Sequence, residues 1–356
     1  MTNQRLTRRR LLALTGAGAA AATGVAELGL APTANAGEDA TTGSSARTLA
    51  DAVIAAFRKH RIVAIGEIHG QQEHYDAMQT LLFDPRLPAM VDDIVVEFGN
   101  ALYQPTMDRF VNGEIVEDRD LRLVWRNTTQ SPSNTWDSPM HEQFFRSVRA
   151  VNWPLPTQKK IRVLLGDPPI DWAKVKTRDD VLAFGDRDGH TISVIEREVL
   201  AKGRRALICY GTNHVRRDGD IIPWIEHVTG QRTYVIVAGT HPRLAPAPRR
   251  MVVPAAGTWL ASADTNDFRY LPGQCGEKFG ELFDALLYLG QVEVVTRSLT
   301  NPAIFLDPEY WAELQRRKTI KESDINLEEF RQEQSVRWQA RPVGGVAPPA
   351  GPVCGG

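Results

Sequence analysis

Five apolar runs in this 356-residue chain end in groups that can carry a proton or a charge. Residues 62–66 (IVAIG) lead into Glu67-Ile68-His69-Gly70, and the run IVVEFG holds Glu97. Residues 161–166 (IRVLLG) lead into Asp167, residues 206–211 (ALICYG) into Thr212-Asn213-His214, and residues 234–239 into Thr240-His241. In extended chain, Glu67 and His69 leave the same face with Cα atoms roughly 6.5 Å apart. A carboxylate in that position fixes the imidazole tautomer and raises its basicity, which makes a general base near neutral pH. Gly66 and Gly70 let the backbone bend and approach a ligand. Arg187 opens a helical stretch, the end where a cation is least welcome, and so suits a carboxylate or a developing oxyanion.

Each group also has a plainer explanation. Glu97 and Asp167 could cap the next helix, Arg187 could belong to a solvated charge run, and His74 could sit on an exposed helix face. Their joint placement argues for a site, because ligands of open α/β sheets bind outside the carboxyl ends of the strands. There is no G-x-S-x-G elbow, no GxxxxGK[ST] and no GxGxxG after the first strand, so a serine-hydrolase elbow and the common nucleotide cradles are absent.

The elements that must position these groups are short apolar strands alternating with amphipathic stretches. The fold expected is α/β, a mostly parallel central sheet flanked by helices. Strands are expected at 62–66, 94–98, 161–166, 206–211, 234–239 and 285–290. Helices are expected at 71–83, 103–112, 118–125, 140–151, 188–202 and 220–229. More than 60 residues separate the second and third strands, which predicts a helical insertion, 103–155, capping one end of the sheet. Residues 240–282 read as irregular. Residues 1–36 carry Arg8-Arg9-Arg10, a weakly apolar stretch and an Ala34-Asn35-Ala36 cleavage site, the pattern of a twin-arginine export signal. Residues 37–46 form a polar linker, 47–335 a single domain, and 336–356 a disordered Pro/Gly tail. The expected location is secreted, periplasmic or in the cell-wall space, reached through the twin-arginine machinery, with no stable membrane anchor after cleavage.

With 42 basic and 43 acidic residues the chain has no global basic field for nucleic acid. Three cysteines are too few for a disulfide framework. Cys275 and Cys354 are candidates to pair in an oxidising compartment, and Cys209 reads as core.

Gly66-Glu67-Ile68-His69, Glu97, Arg187-Asp188, Gly211-Thr212-Asn213-His214 and the late FDALLYLG run (283–290) together resemble the Tiki/ChaN-like superfamily. That group includes erythromycin-esterase-like hydrolases, Tiki/TraB-type metalloproteases and ChaN-type haem-binding proteins. The resemblance covers roughly residues 48–292 and implies a central cluster of Glu67, His69, Glu97 and His214. As an esterase, His69 would activate water, oriented by Glu67 and Glu97, for attack on an ester or amide of a small-molecule or peptide substrate, with Arg187 and His214 stabilising the oxyanion. As a metalloprotease, Glu67, His69, Glu97 and His214 would hold a divalent metal (Mn, Co or Zn). As a ChaN-type protein the chain would bind haem without turnover. A tyrosine would ligate the iron, Tyr75, Tyr103 and Tyr210 being available, and the pocket would be lined by Trp125, Phe144 and Phe145. No cysteine follows the cleavage site, unlike the lipoprotein form of that last group.

Overall fold

The computed structural model describes residues 47–133 and 135–340. The expected export signal at 1–36, the expected linker at 37–46, residues 341–356 and Cys354 lie outside the described residues. The last helix, Leu327–Ala340, runs five residues into the stretch expected as tail.

Among the described residues, eight strands form one sheet. They are β1 (Arg47–Thr48), β2 (Ile62–Glu67), β3 (Asp93–Asn100), β4 (Arg162–Asp167), β5 (Ala206–Gly211), β6 (Tyr234–Gly239), β7 (Met251–Pro254) and β8 (Ala285–Tyr288). The spatial order is β1-β7-β8-β6-β2-β5-β3-β4. The six strands from β8 to β4 are parallel, and β7 and β1 add an antiparallel edge. Every residue of β2, β3 and β5 is buried, which is why these strands read as continuous Val/Ile runs rather than alternating ones. Their side chains divide between two cores. Val63, Ile65, Val96 and Cys209 pack on one face with helices Leu49–Phe57, Gln72–Leu82 and Pro139–Asn152. Ala64, Val95, Ile208 and Val237 pack on the other with helices Arg187–Ile195 and Ile221–Thr229.

The chain runs outward from β2 to β3 and β4, returns to β5 beside β2, then crosses to β6 on the other side. This reversal at β2 is the switch point at whose carboxyl edge ligands of such sheets bind. β2 and β5 stay paired to their ends, Glu67 opposite Gly211. β3 pairs with β4 as far as Val96, loses register, and pairs again at Asn100. Glu97 stands at this irregularity, where a strand can re-aim a side chain. The outer edge of β4 is met by a side chain: Gln104 Nε2 donates to Val163 O (2.7 Å) and Gln104 Oε1 accepts from Leu165 N (2.8 Å).

Helices Gln104–Asn112, Asp118–Arg126 and Pro139–Asn152 lie between β3 and β4, where the insertion was expected. Trp125, Phe144 and Phe145, considered above as a haem pocket, are buried in the first core. Residues 240–282 are not wholly irregular. They hold β7, whose four residues, the last of them Pro254, are too short a run to read as a strand. Helix Pro308–Lys321 packs with Leu327–Ala340 around Phe305, Leu314 and Leu327. No described helix is long and apolar enough to cross a membrane. Cys275 is disulfide-bonded, and Cys209 is a buried free thiol.

Gly166 in β4 faces Tyr210 so closely that a Cβ there would stand 1.7 Å from the phenol oxygen and 3.0 Å from Val96 O. Gly166→Ala is expected to lower stability by about 1–3 kcal/mol through overpacking. Adding Tyr210→Phe should return part of the loss in urea unfolding. A loss from Gly166→Ala that is the same with and without Tyr210→Phe would place the strain elsewhere.

Candidate active site

Glu67 ends β2 and is 6 % exposed. Its Oε1 accepts from Tyr75 Oη (3.0 Å) and lies 3.1 Å from His69 Nδ1. His74 Nε2 stands 3.5 Å from Oε2, an oxygen without a hydrogen bond. Burial pushes the carboxyl up. The charge on His74 and the hydrogen bond and charge of His69 outweigh that, holding it below its ordinary value. With Glu67 ionised, the neutral His69 ring carries its proton on Nδ1 and its lone pair on Nε2. Nε2 lies 3.7 Å from Glu97 Oε2, beyond hydrogen-bond range. Burial lowers the basicity of His69, but the bond and charge of Glu67 and the charge of Glu97 raise it above the usual histidine value. The ring is about a quarter exposed and meets Trp136 edge-on at 4.5 Å.

Glu97 is 2 % exposed and fully engaged. Oε1 accepts from Arg187 Nη2 (2.7 Å) and Gln130 Nε2 (2.8 Å), and Oε2 accepts from the Gly211 amide (2.8 Å). A Cβ on Gly211 would meet the His69 ring at 3.0 Å, so glycine lets imidazole and carboxylate converge there. Burial would raise the Glu97 carboxyl, but His214, His69 and Arg187 hold it well below the carboxylate range. Arg187 also places Nε 3.4 Å from Asp167 Oδ1. Two acids thus offset its unfavourable place in the first turn of Arg187–Ile195. His214, in the short turn after β5, sets Nδ1 2.6 Å from Asp188 Oδ1 and Nε2 3.5 Å from Glu97 Oε1. Burial opposes its charge, but Asp188 and Glu97 raise His214 to about 9, so it is a cation at neutral pH.

The plainer explanations for the acids do not hold. Asn100, not Glu97, caps the turn after β3. Asp167 accepts from Thr129 N (2.7 Å) and Thr129 Oγ1 (2.5 Å) rather than capping a helix. Burial, against the Thr129 bonds and Arg187, lifts Asp167 to about 6. His74 is buried, because the first turn of Gln72–Leu82 packs on the end of β2. The fifth strand end goes elsewhere. His241 Nδ1 accepts from Arg243 N in capping a turn, and the ring packs on Trp259 and Phe268 beside a separate cavity of about 420 Å³.

The metal set does not fit. Among the described residues, no three His, Cys, Asp or Glu groups are grouped to hold an ion. Both Glu97 oxygens are occupied by N–H donors, a guanidinium lies within the cluster, and Nδ1 of His69 and of His214 each face a carboxylate. The tyrosines considered as haem ligands are also engaged. Tyr75 bonds Glu67 and lies 2.6 Å from His141 Nε2, Tyr210 bonds Thr191 Oγ1 (2.8 Å), and Tyr103 accepts from Asn127 (2.7 Å). Burial pushes all three phenols up, away from the phenolate. Reading the sequence missed Gln130, Thr129 and His141, which lie in the insertion with no local motif. Asp188 stood within the Arg187-Asp188 motif and could have been assigned from it.

No family model matches the chain, and no curated protein matches it. Among solved structures, a Bacillus cereus protein aligns over 72 % of this chain and 97 % of its own, with TM-score 0.51 and 10 % identity. A succinoglycan biosynthesis protein aligns over 70 % and 95 %, with TM-score 0.48 and 10 % identity. The ChaN protein of Campylobacter jejuni, solved with cofacially bound haem, aligns over 66 % and 90 %, with TM-score 0.36 and 13 % identity. The first of these shows a shared fold.

Glu97→Gln would leave Arg187 beside an uncharged partner in a buried setting. Stability is expected to fall by about 3–5 kcal/mol, read by urea unfolding. The His214 midpoint, about 9 in the parent, should move down in an NMR titration, because removing an anion disfavours the imidazolium. A midpoint that stays at about 9 would assign the charge to Asp188 alone.

Proposed function

We propose that this chain is a hydrolase of ester or amide bonds, acting outside the cytoplasm if the signal at 1–36 operates as read. One observation carries the reading. A partly exposed imidazole, His69, is held by Glu67 with its lone-pair nitrogen free of hydrogen bonds, beside a second imidazole, His214, held protonated. Two titratable groups in one cluster with opposite proton roles are what acid–base hydrolysis needs. The resemblance of Gly66-Glu67-Ile68-His69 and Gly211-Thr212-Asn213-His214 to the erythromycin-esterase-like group supports an ester.

In this mechanism His69 Nε2 takes a proton from water as the water oxygen attacks the carbonyl carbon. Glu67 steadies the imidazolium that forms. The charge on the carbonyl oxygen is offset by His214 and Arg187. As the intermediate collapses, the bond to the leaving alkoxide or amine breaks and the proton on His69 passes to that group, which restores the neutral imidazole. Glu97 touches neither water nor substrate in this scheme; it keeps Arg187 and His214 charged and in place.

His69→Ala is expected to lower turnover of activated esters about 10²–10⁴-fold while leaving the urea midpoint nearly unchanged. Hydrolysis that survives in this variant would sink the assignment. In the parent, the rate should rise with pH as His69 loses its proton, with a midpoint above the ordinary 6.5. It should fall again around 9, where His214 loses its charge. A profile flat across that range would remove both histidines from the mechanism.

A further inference from the structure

The loop between helices Asp118–Arg126 and Pro139–Asn152 touches the cluster at three places. Thr129 bonds Asp167 through its amide and hydroxyl, Gln130 bonds Glu97, and Trp136 meets the His69 ring. A loop has no ladder of its own, so its carbonyls need other partners. They come from a helix that lies far along the chain, Pro308–Lys321. Arg317, 3 % exposed, donates from Nη1 to Arg126 O (2.9 Å) and Ser131 Oγ (3.1 Å), and from Nη2 to Asn127 Oδ1 (2.7 Å). One helical turn on, Lys321 Nζ donates to Thr129 O (2.9 Å) and Ser131 O (3.0 Å). Glu313 holds Arg317 Nε (2.7 Å), and the guanidinium lies over Trp172, whose Nε1 donates to Thr128 O (3.2 Å). At the other end of the loop, Tyr310 donates to Asp137, next to Trp136, and Arg126 stacks over its ring.

We infer that helix Pro308–Lys321 is a clasp that makes the site competent, and that Arg317 and Lys321 are positioning residues acting on Glu97 and Asp167 through Gln130 and Thr129. Neither cation touches the cluster of Glu67, His69 and Glu97. Apart from Glu313 on their own helix, their partners are Thr129 itself and the residues on either side of Thr129 and Gln130, which are Arg126 and Asn127 before and Ser131 after. Residues 317 and 321 are one turn apart on a single helix face, so the helix binds the loop as a unit. Removing one cation leaves buried acceptors unpaired and the loop free to drift, and a displacement of about 1 Å in such supports costs on the order of 10²-fold in rate. The activity consequence rests on the hydrolytic reading above; the positional one does not.

The test uses the full chain with Arg317→Met, Lys321→Met and Gln130→Ala, alone and combined. The side-chain amide signals of Gln130, identified by their loss in Gln130→Ala, should move toward the position of a free glutamine amide in Arg317→Met and in Lys321→Met. With an activated ester, each single change is expected to lower kcat on the order of 10²-fold with KM little altered. Each pair with Gln130→Ala should be no slower than its slower single variant, because both act through one contact. If Arg317→Met does not fold, Lys321→Met, at a less buried site, carries both measurements. Unmoved Gln130 signals in the folded variants would overturn the clasp, as would losses in kcat that multiply. If no ester or amide is turned over by the parent, the hydrolytic reading falls and the amide signals alone decide the clasp.

Discussion

A carboxylate buried as completely as Glu97 is stable only if its charge is met from every side. Much of the molecule's architecture answers that requirement. The lost register in β3 turns the side chain toward the sheet's carboxyl edge, β5 ends at a glycine whose amide donates to it, and helix Arg187–Ile195 begins with the arginine that pairs with it. The insertion supplies Gln130. Four elements far apart in sequence therefore meet at one side chain, and His69 and His214 approach each other because both face it.

Burial sorts the histidines around these acids. His74 and His141 are almost wholly enclosed, and desolvation pushes both down, His141 to about 4. His69 and His214 reach solvent with about a quarter of their side chains. For these two the neighbouring carboxylates outweigh desolvation, and their basicity rises. The same residue type thus serves inside, in His141, as a hydrogen-bonding partner of Tyr75 and at the opening as a proton carrier.

The strands from β2 to β6, and β8, were legible in the sequence because parallel strands buried on both faces leave continuous apolar runs. β1 and β7, of two and four residues, leave no run long enough to register. The convergence of Glu67, His69, Glu97 and His214 was legible for the same reason, since a parallel sheet delivers its carboxyl ends to one edge. Which donors already occupy those groups was not. The Gly211 amide and Gln130, which take up Glu97, answer to the course of the backbone and of a loop, and neither leaves a spacing pattern. The metal reading failed at that point: ligand types can be counted in a sequence, but free lone pairs cannot. Arg317 and Lys321 were invisible because most of their loop partners are main-chain carbonyls, which every residue has.

The amide of Gln104 against β4 bears on how this molecule meets its own copies. A sheet edge exposes alternating N–H and C=O groups that invite a further strand. On β4 the side chain takes the carbonyl of Val163 and the amide of Leu165, in the way a neighbouring strand would. A second chain could extend the sheet there only by first displacing a glutamine anchored in the helix Gln104–Asn112. At the opposite margin, β1 offers two residues of strand among the described residues. On the β4 side the sheet therefore ends in a structure that resists strand addition, a safeguard for a protein whose central strands are as apolar as these.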